Sequence, residues 1–280
     1  MEERSVNIIV LNWNQRDLSL KCISSLEKTT YKNKHIVFVD NGSNDGSSES
    51  VQRQHPGVEI VELENNLGYA GGNNFGFNSI RNKSKYTIFL NNDTYVDSCF
   101  IEPLIDELES NSLSIQSVPK IFYAKEHDRV WYAGGSISFI LSQIRHIGIR
   151  SNNSEKYNKR LKVDYATGCC FCIRSDDFVK FGMFDENYKM YCEDVDLSLK
   201  IRKNGGQIVY IPNSKVWHHV SMSLGGVSSF SKWRKKQFSI LKLILEHGNI
   251  LFFPISIVFY VINALLSFLF IGILKITKKK

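Results

Sequence analysis

The sequence predicts an α/β domain with a mainly parallel sheet, followed by an apolar C-terminal helix. Three observations carry this reading. Short apolar runs alternate with segments of helical spacing through the first third of the chain, the pattern of βαβ units. Two acidic motifs, Val39-Asp40-Asn41-Gly42-Ser43 and Leu90-Asn91-Asn92-Asp93-Thr94, each follow such a run. That puts a carboxylate just beyond the C-terminal end of a strand, the edge at which open α/β sheets bind ligands. Finally, residues 250–274 are almost wholly apolar, long enough to cross a hydrocarbon core as a helix.

Each element follows from its local pattern. Residues 6–11 are an apolar run, read as the first strand, and residues 17–28 carry Leu18, Cys22, Ile23 and Leu26 at helical spacing. Residues 35–39 are the second strand. Asn44-Asp45-Gly46 is a turn leading to a short helix. Residues 58–63 are a third strand, although the adjacent Ile60 and Val61 break its alternation. Residues 69–80 begin rich in Gly and Asn and continue as helix. Residues 86–90 are the fourth strand, and 100–108 a helix with Leu104, Ile105 and Leu108 on one side. Beyond Val118 the regularity fades: residues 131–150 read as mixed strand and loop, and the polar residues 151–162 as an exposed loop. Val195, Leu197, Leu199 and Ile201 alternate as in a strand. Yet Glu193, Asp194 and Asp196 open that segment, and Lys200, Arg202 and Lys203 close it before Gly205-Gly206. This is the charge order that a helix dipole favours, so the segment is read as a helix buried on two sides.

The 280 residues hold 43% hydrophobic and 12% aromatic residues, enough for a large core, and the formal net charge is +7. A basic surface suits nucleic acid, an anionic membrane or a phosphorylated substrate. No nucleic-acid-binding signature accompanies it, so the last two are favoured. Cys169 and Cys172 form a C-x-x-C without the second ligand pair that a zinc site requires. Gly168-Cys169-Cys170-Phe171-Cys172-Ile173 reads instead as a buried strand, with all six cysteines reduced. Met1 to Asn7 is polar, so no secretory leader is expected. The apolar tail has lysines on both flanks, so charge gives no vote on topology. A full span and a segment entering one leaflet both satisfy the pattern. The expected organisation is an α/β domain over 1–228, a basic juxtamembrane helix over 229–249 and a transmembrane or membrane-inserted segment over 250–274. Ser231-Lys232-Trp233-Arg234-Lys235-Lys236 suits anionic headgroups and a plain linker equally.

Further motifs join the first two. Val6-Asn7-Ile8-Ile9-Val10-Leu11-Asn12-Trp13-Asn14 opens the chain. Asn66-Leu67-Gly68-Tyr69-Ala70-Gly71-Gly72-Asn73-Asn74-Phe75-Gly76 has the composition of a phosphate cradle at a helix start. Gly182-Met183-Phe184-Asp185-Glu186 runs on to Glu193-Asp194-Val195-Asp196, and Val216-Trp217-His218-His219 closes the set. In this order the motifs resemble a family-2 glycosyltransferase of the bacterial rhamnosyltransferase-like branch, from about Val6 to about Gly226. The resemblance implies a GT-A (Rossmann-like) fold, a nucleoside-diphosphate-sugar donor such as dTDP-rhamnose or a UDP-sugar, a divalent cation (Mn²⁺ or Mg²⁺) and inversion at the anomeric carbon. It implies a glycan or lipid-linked acceptor at the cytoplasmic face of the inner membrane.

The same resemblance distributes the roles. Asn12, Asp40, Asn41, Gly71, Asn73 and Asn92 fall on the nucleotide-sugar side. Asp93 and His218 are the implied metal ligands, Asp194 the base that takes the acceptor's proton, and Glu193 the residue that orients acceptor or base. Two departures stand out: Asn91 replaces the first aspartate of the family's D-x-D motif, and Asn73 stands where an arginine is frequent. Asn91 keeps open a catalytically inactive, nucleotide-sugar-binding membrane scaffold of the same fold. A nucleotidyltransferase would want a basic loop after the first strand, which Asn12-Trp13-Asn14-Gln15 lacks.

Overall fold

The structure, a computed structural model, describes residues 4–188, 191–220 and 230–277. Strands β1 (Val6–Asn12), β2 (Lys34–Asp40), β3 (Glu59–Glu62) and β4 (Tyr86–Asn91) alternate with helices α1 (Arg16–Glu27), α2 (Ser47–Gln54) and α3 (Gly68–Ser79). β1 pairs in parallel with both β2 and β4, and β2 with β3, giving the order β3-β2-β1-β4. All four strands therefore end on one edge. β1 is apolar almost throughout because layers cover both faces of a parallel sheet; Val6, Ile8, Ile9 and Val10 are fully buried.

The glycines of α3 explain how closely that helix lies on the sheet. Gly72 and Gly76 are one turn apart. A Cβ on Gly72 would lie 2.6 Å from Leu11 Cδ1, and one on Gly76 would lie 2.4 Å from Val39 Cγ2. The Gly-rich stretch thus serves helix–sheet packing as well as a loop.

Past β4 the sheet becomes mixed. The chain continues through β5 (Thr94–Val96), α4 (Ile101–Ser110), β6 (Ser114–Tyr123), β7 (Glu126–Tyr132), β8 (Gly135–Ser138), β9 (Gln143–His146), β10 (Ser151–Asn152), β11 (Leu161–Val163), β12 (Cys170–Arg174), α5 (Ser175–Lys180), α6 (Glu193–Lys203) and β13 (Gln207–His218). β12 lies antiparallel between β4 and β6, with Cys170 and Cys172 buried as small apolar side chains. β13 runs parallel to β6 on one side, and its last residues pair antiparallel with β5. β8 and β9 form a separate two-stranded ribbon.

Two sequence expectations need correction here. β6 is a long, buried strand that the apolar pattern did not reveal, because Gln116, Ser117, Pro119 and Lys120 interrupt it. Most of their polar groups find partners inside: the Lys120 ammonium donates to Asn153 Oδ1 at 3.1 Å and Asn158 Oδ1 at 2.5 Å, and Ser198 donates to Gln116 Oε1, while Gln116 Nε2 has no partner. The segment 151–162 is accordingly more than an exposed loop. It contains β10, a 3₁₀ turn (Glu155–Tyr157) and the start of β11, and Tyr157 is buried. The segment after Cys192 is a helix, as its charge order indicates.

Helices α7 (Phe230–His247) and α8 (Phe253–Thr277) complete the described chain. α7 docks beside the α/β half through ion pairs. Lys242 Nζ lies 3.0 Å from Asp185 Oδ2, and His247 Nε2 lies 2.7 Å from Asp196 Oδ1. Tyr188 donates to Glu246 at 2.8 Å. Residues 250–271 are long and apolar enough to cross a membrane and are almost entirely unburied.

Candidate active site

The parallel strand ends and the antiparallel return of β13 meet at one cavity of about 1600 Å³. β5 starts directly after Asp93, and His218 pairs opposite Thr94. That register brings the imidazole to the carboxylate: His218 Nε2 lies 3.1 Å from Asp93 Oδ1. The backbone N–H of His219 donates to the Asp93 carbonyl at 2.8 Å. Burial alone would push the Asp93 carboxyl up, but the His218 charge and hydrogen bond, helped by His219, outweigh it and hold the carboxyl below its ordinary value. His218 packs edge-on against Trp131, with ring centroids 4.7 Å apart, and its Nδ1 has no hydrogen-bond partner.

α6 supplies two further acids, Glu193 and Asp194. Tyr191 and Cys192, at φ of 69° and 71°, precede it in the left-handed region, a backbone strain that aims the first turn into the cavity. Asp194 accepts from the Gly168 N–H at 2.7 Å and the Val195 N–H at 2.8 Å. Glu193 is buried, and its Oε2 has no partner. Burial, then the neighbouring Asp194 charge, pushes the Glu193 carboxyl up to about 8. Burial also raises Asp194, against its two N–H donors, which favour the ionised form. Gly168 makes the approach possible, since a Cβ there would lie 3.0 Å from the Tyr69 hydroxyl and 3.4 Å from Asp194 Oδ2. The Tyr69 hydroxyl in turn donates to the Gly168 carbonyl at 2.5 Å.

Asp93, His218, Glu193 and Asp194 all line this cavity, and so do Asn12, Asn41 and Asn92. The three asparagines are also knitted to their neighbours. Asn92 donates to Asn12 Oδ1 and Ser19 Oγ, both at 2.9 Å, and Asn41 donates to the Gly68 carbonyl while accepting from the Leu67 N–H. Asp40 stands behind this wall. Its carboxylate accepts from the Ser43 N–H and hydroxyl, the Ser48 hydroxyl and the Asn12 amide. Gly71 and Asn73 lie inside α3, where Asn73 donates to the Tyr69 carbonyl of its own helix. The cavity is met instead by Asn66, Leu67, Gly68 and Tyr69.

Sequence reasoning did not single out Trp131, His146 or Tyr165, which also line the cavity. The His146 ring is edge-on to Trp131, and burial pushes its imidazole down to about 4, so it is neutral at physiological pH. These residues come from the irregular segment, where no periodicity marked them. A second group with metal-ligand spacing exists among the described residues: Asp196, Glu246 and His247. Lys200, Lys242 and Tyr188 already engage its carboxylate oxygens, so it acts as an ionic latch between α6 and α7.

The family model of glycosyl transferase family 2 matches residues 7–182. Over 221 residues the chain is 25% identical to the N-acetylglucosaminyl-diphospho-decaprenol L-rhamnosyltransferase of Mycobacterium tuberculosis, covering 72% of each protein. It is 33% identical over 128 residues to the rhamnosyltransferase WbbL of Escherichia coli, which is 44% of this chain and 47% of that one. Among solved structures, GalNAc-T7 with UDP, GalNAc and Mn²⁺ matches with a TM-score of 0.68 at 17% identity, over 87% of this chain and 48% of the other. That last likeness is one of fold, and the fold is GT-A. A family model matching residues 7–182 and a likeness to a rhamnosyltransferase over 72% of each protein lead to one conclusion: the chain belongs to glycosyl transferase family 2, on its rhamnosyltransferase-like branch, and is a glycosyltransferase.

Proposed function

We propose that the protein moves a sugar from a nucleoside-diphosphate sugar, dTDP-rhamnose or a UDP-sugar, to a hydroxyl of a lipid-linked or polysaccharide acceptor, with inversion, in cell-surface glycan assembly. The observation that carries this reading is the convergence of Asp93, His218, Glu193 and Asp194 on one cavity. Asp93 and His218 offer one carboxylate oxygen and one imidazole nitrogen at 3.1 Å, with room for diphosphate oxygens beside them. This mixed oxygen and nitrogen set fits a divalent cation, and Mn²⁺ better than Mg²⁺. Such a cation, when bound, neutralises charge on the departing nucleoside diphosphate.

The two acids of α6 divide the proton work. Asp194 opens onto the cavity and is held by two N–H donors, so it is the ionised base. Glu193, buried and raised, keeps its proton near neutral pH and orients its neighbour or the acceptor. As the acceptor oxygen bonds to the anomeric carbon, its proton passes to Asp194 and the bond to the diphosphate breaks. Attack from the opposite face inverts the centre.

The Mycobacterium relative is named for a decaprenol-diphosphate acceptor, and the unburied apolar α8 supports membrane attachment. On this reading the acceptor is lipid-linked and met at the cytoplasmic face of the inner membrane, with residues 1–228 catalytic, 229–249 juxtamembrane and 250–274 in the membrane. The test is a donor screen on purified protein with Mn²⁺, reading release of UDP against dTDP. Asp194→Asn should cut turnover by about 10²–10⁴-fold while nucleotide binding persists. Wild-type turnover in that variant overturns the base assignment.

A further inference from the structure

The cavity continues past the reacting groups to α7 and α8. Lys232, Lys235 and Lys236 line its far wall, with Gln237 and Ile240 beside them. On a helix this spacing places the side chains on one face. The Lys236 charge reaches both His146 and Cys192, the residue that caps α6. Further along α7, Lys242 is paired with Asp185 and Glu246. Among the described residues no carboxylate lies within ion-pair distance of Lys235 or Lys236, so the wall is a concentration of positive charge.

α8 frames the same wall with two different faces. Its inner face is small or polar: the Ser256 carbonyl accepts from Ser142 at 2.6 Å, Asn263 donates to the Leu141 carbonyl at 2.8 Å, and Ser267 accepts from Trp233 at 2.9 Å. Tyr260, Asn263 and Ser267 line the cavity. The outer face carries Val258, Leu265, Leu266 and Leu269, each more than half exposed. An apolar face on α8 with the cationic side chains of α7 alongside it is an arrangement suited to meeting a bilayer. The lysines line the cavity and not the leucine face of α8, with Lys235 and Lys236 exposed at its open side, which suits an anionic head entering the cavity better than a field of surface headgroups.

We propose that this far wall is a subsite for the diphosphate of a lipid-linked acceptor. Lys232, Lys235 and Lys236 hold the diphosphate, the apolar chain leaves along α8, and the sugar hydroxyl reaches Asp194. The subsite rests on the transferase reading, yet it can be tested separately. Full-length protein is titrated with phosphatidylcholine vesicles containing decaprenyl diphosphate, and with vesicles of matched charge containing phosphatidylglycerol. Wild type should bind the first more tightly. Lys235→Gln with Lys236→Gln should weaken that binding about tenfold or more, leave phosphatidylglycerol binding unchanged, and recover in the Lys→Arg pair. Equal loss on both vesicles, no loss on either, or no preference in wild type overturns the proposal. Nucleoside-diphosphate binding, read in parallel, should be the same in all variants, and its loss in the Gln pair would mark a misfolded variant, leaving the Arg pair to decide: Arg-pair binding to the diphosphate vesicles at the wild-type level supports the subsite, and weakened binding there overturns it. Diphosphate binding through these lysines with no sugar transfer from any donor would sink the transferase reading and leave the subsite standing.

Discussion

Glu193 and Asp194 are neighbours in sequence and stand in different surroundings. Asp194 has two backbone donors and a view of the cavity; Glu193 has burial and an orphaned oxygen. The consequence is measurable. Glu193 moves from an ordinary 4.5 to about 8 in the folded protein. Between those values the folded state keeps a proton that the unfolded chain has released, so this group's contribution to stability falls as pH rises through the window. Glu193→Gln removes that titration. Its denaturation midpoint relative to the parent should climb steadily with pH across that interval, and a flat difference would refute the raised carboxyl. At this scale the motifs made Asp93, Asp194 and His218 legible. They did not reveal that Asp40 is bonded by Ser43, Ser48 and Asn12, because Asp-Asn-Gly-Ser spells the same turn whether its carboxylate faces a ligand or its own loop.

Among the elements, α3 shows how one stretch carries two meanings. Its Gly/Asn composition reads as a phosphate cradle, and the start of the stretch, from Asn66 to Tyr69, does meet the cavity. Gly72 and Gly76 answer to Leu11 and Val39 instead. Gly76→Ala puts a methyl 2.4 Å from Val39 Cγ2, so the helix must lift. We expect a loss of about 1–3 kcal/mol in urea unfolding, with Gly57→Ala, open on all sides, as the neutral control. The first four strands were readable because apolar runs buried on both faces need no partner to announce themselves. β6 was not, since its lysine and glutamine are tolerated only by asparagine and serine side chains brought from distant segments.

For the whole molecule, the issue is how the catalytic half is joined to its apolar tail. The Asp196–His247 contact ties the helix that begins with Glu193-Asp194 to α7, and α7 packs on α8. On the proposed membrane attachment, the outward leucines of α8 set how firmly the protein meets lipid. Leu265→Glu with Leu269→Glu, both on the unburied face, should reduce flotation with liposomes while circular dichroism stays that of the parent. Retained flotation would place the membrane contact elsewhere. By itself the sequence determined the strand–helix alternation, the carboxylates at strand ends and the apolar tail, because each is written in local periodicity. Only the tertiary structure decided that His218 meets Asp93, that Gly168 seats Asp194, and that three lysines of α7 face the same cavity. Those arrangements depend on β13 returning beside β5 and on α7 docking against α6, contacts between residues far apart along the chain.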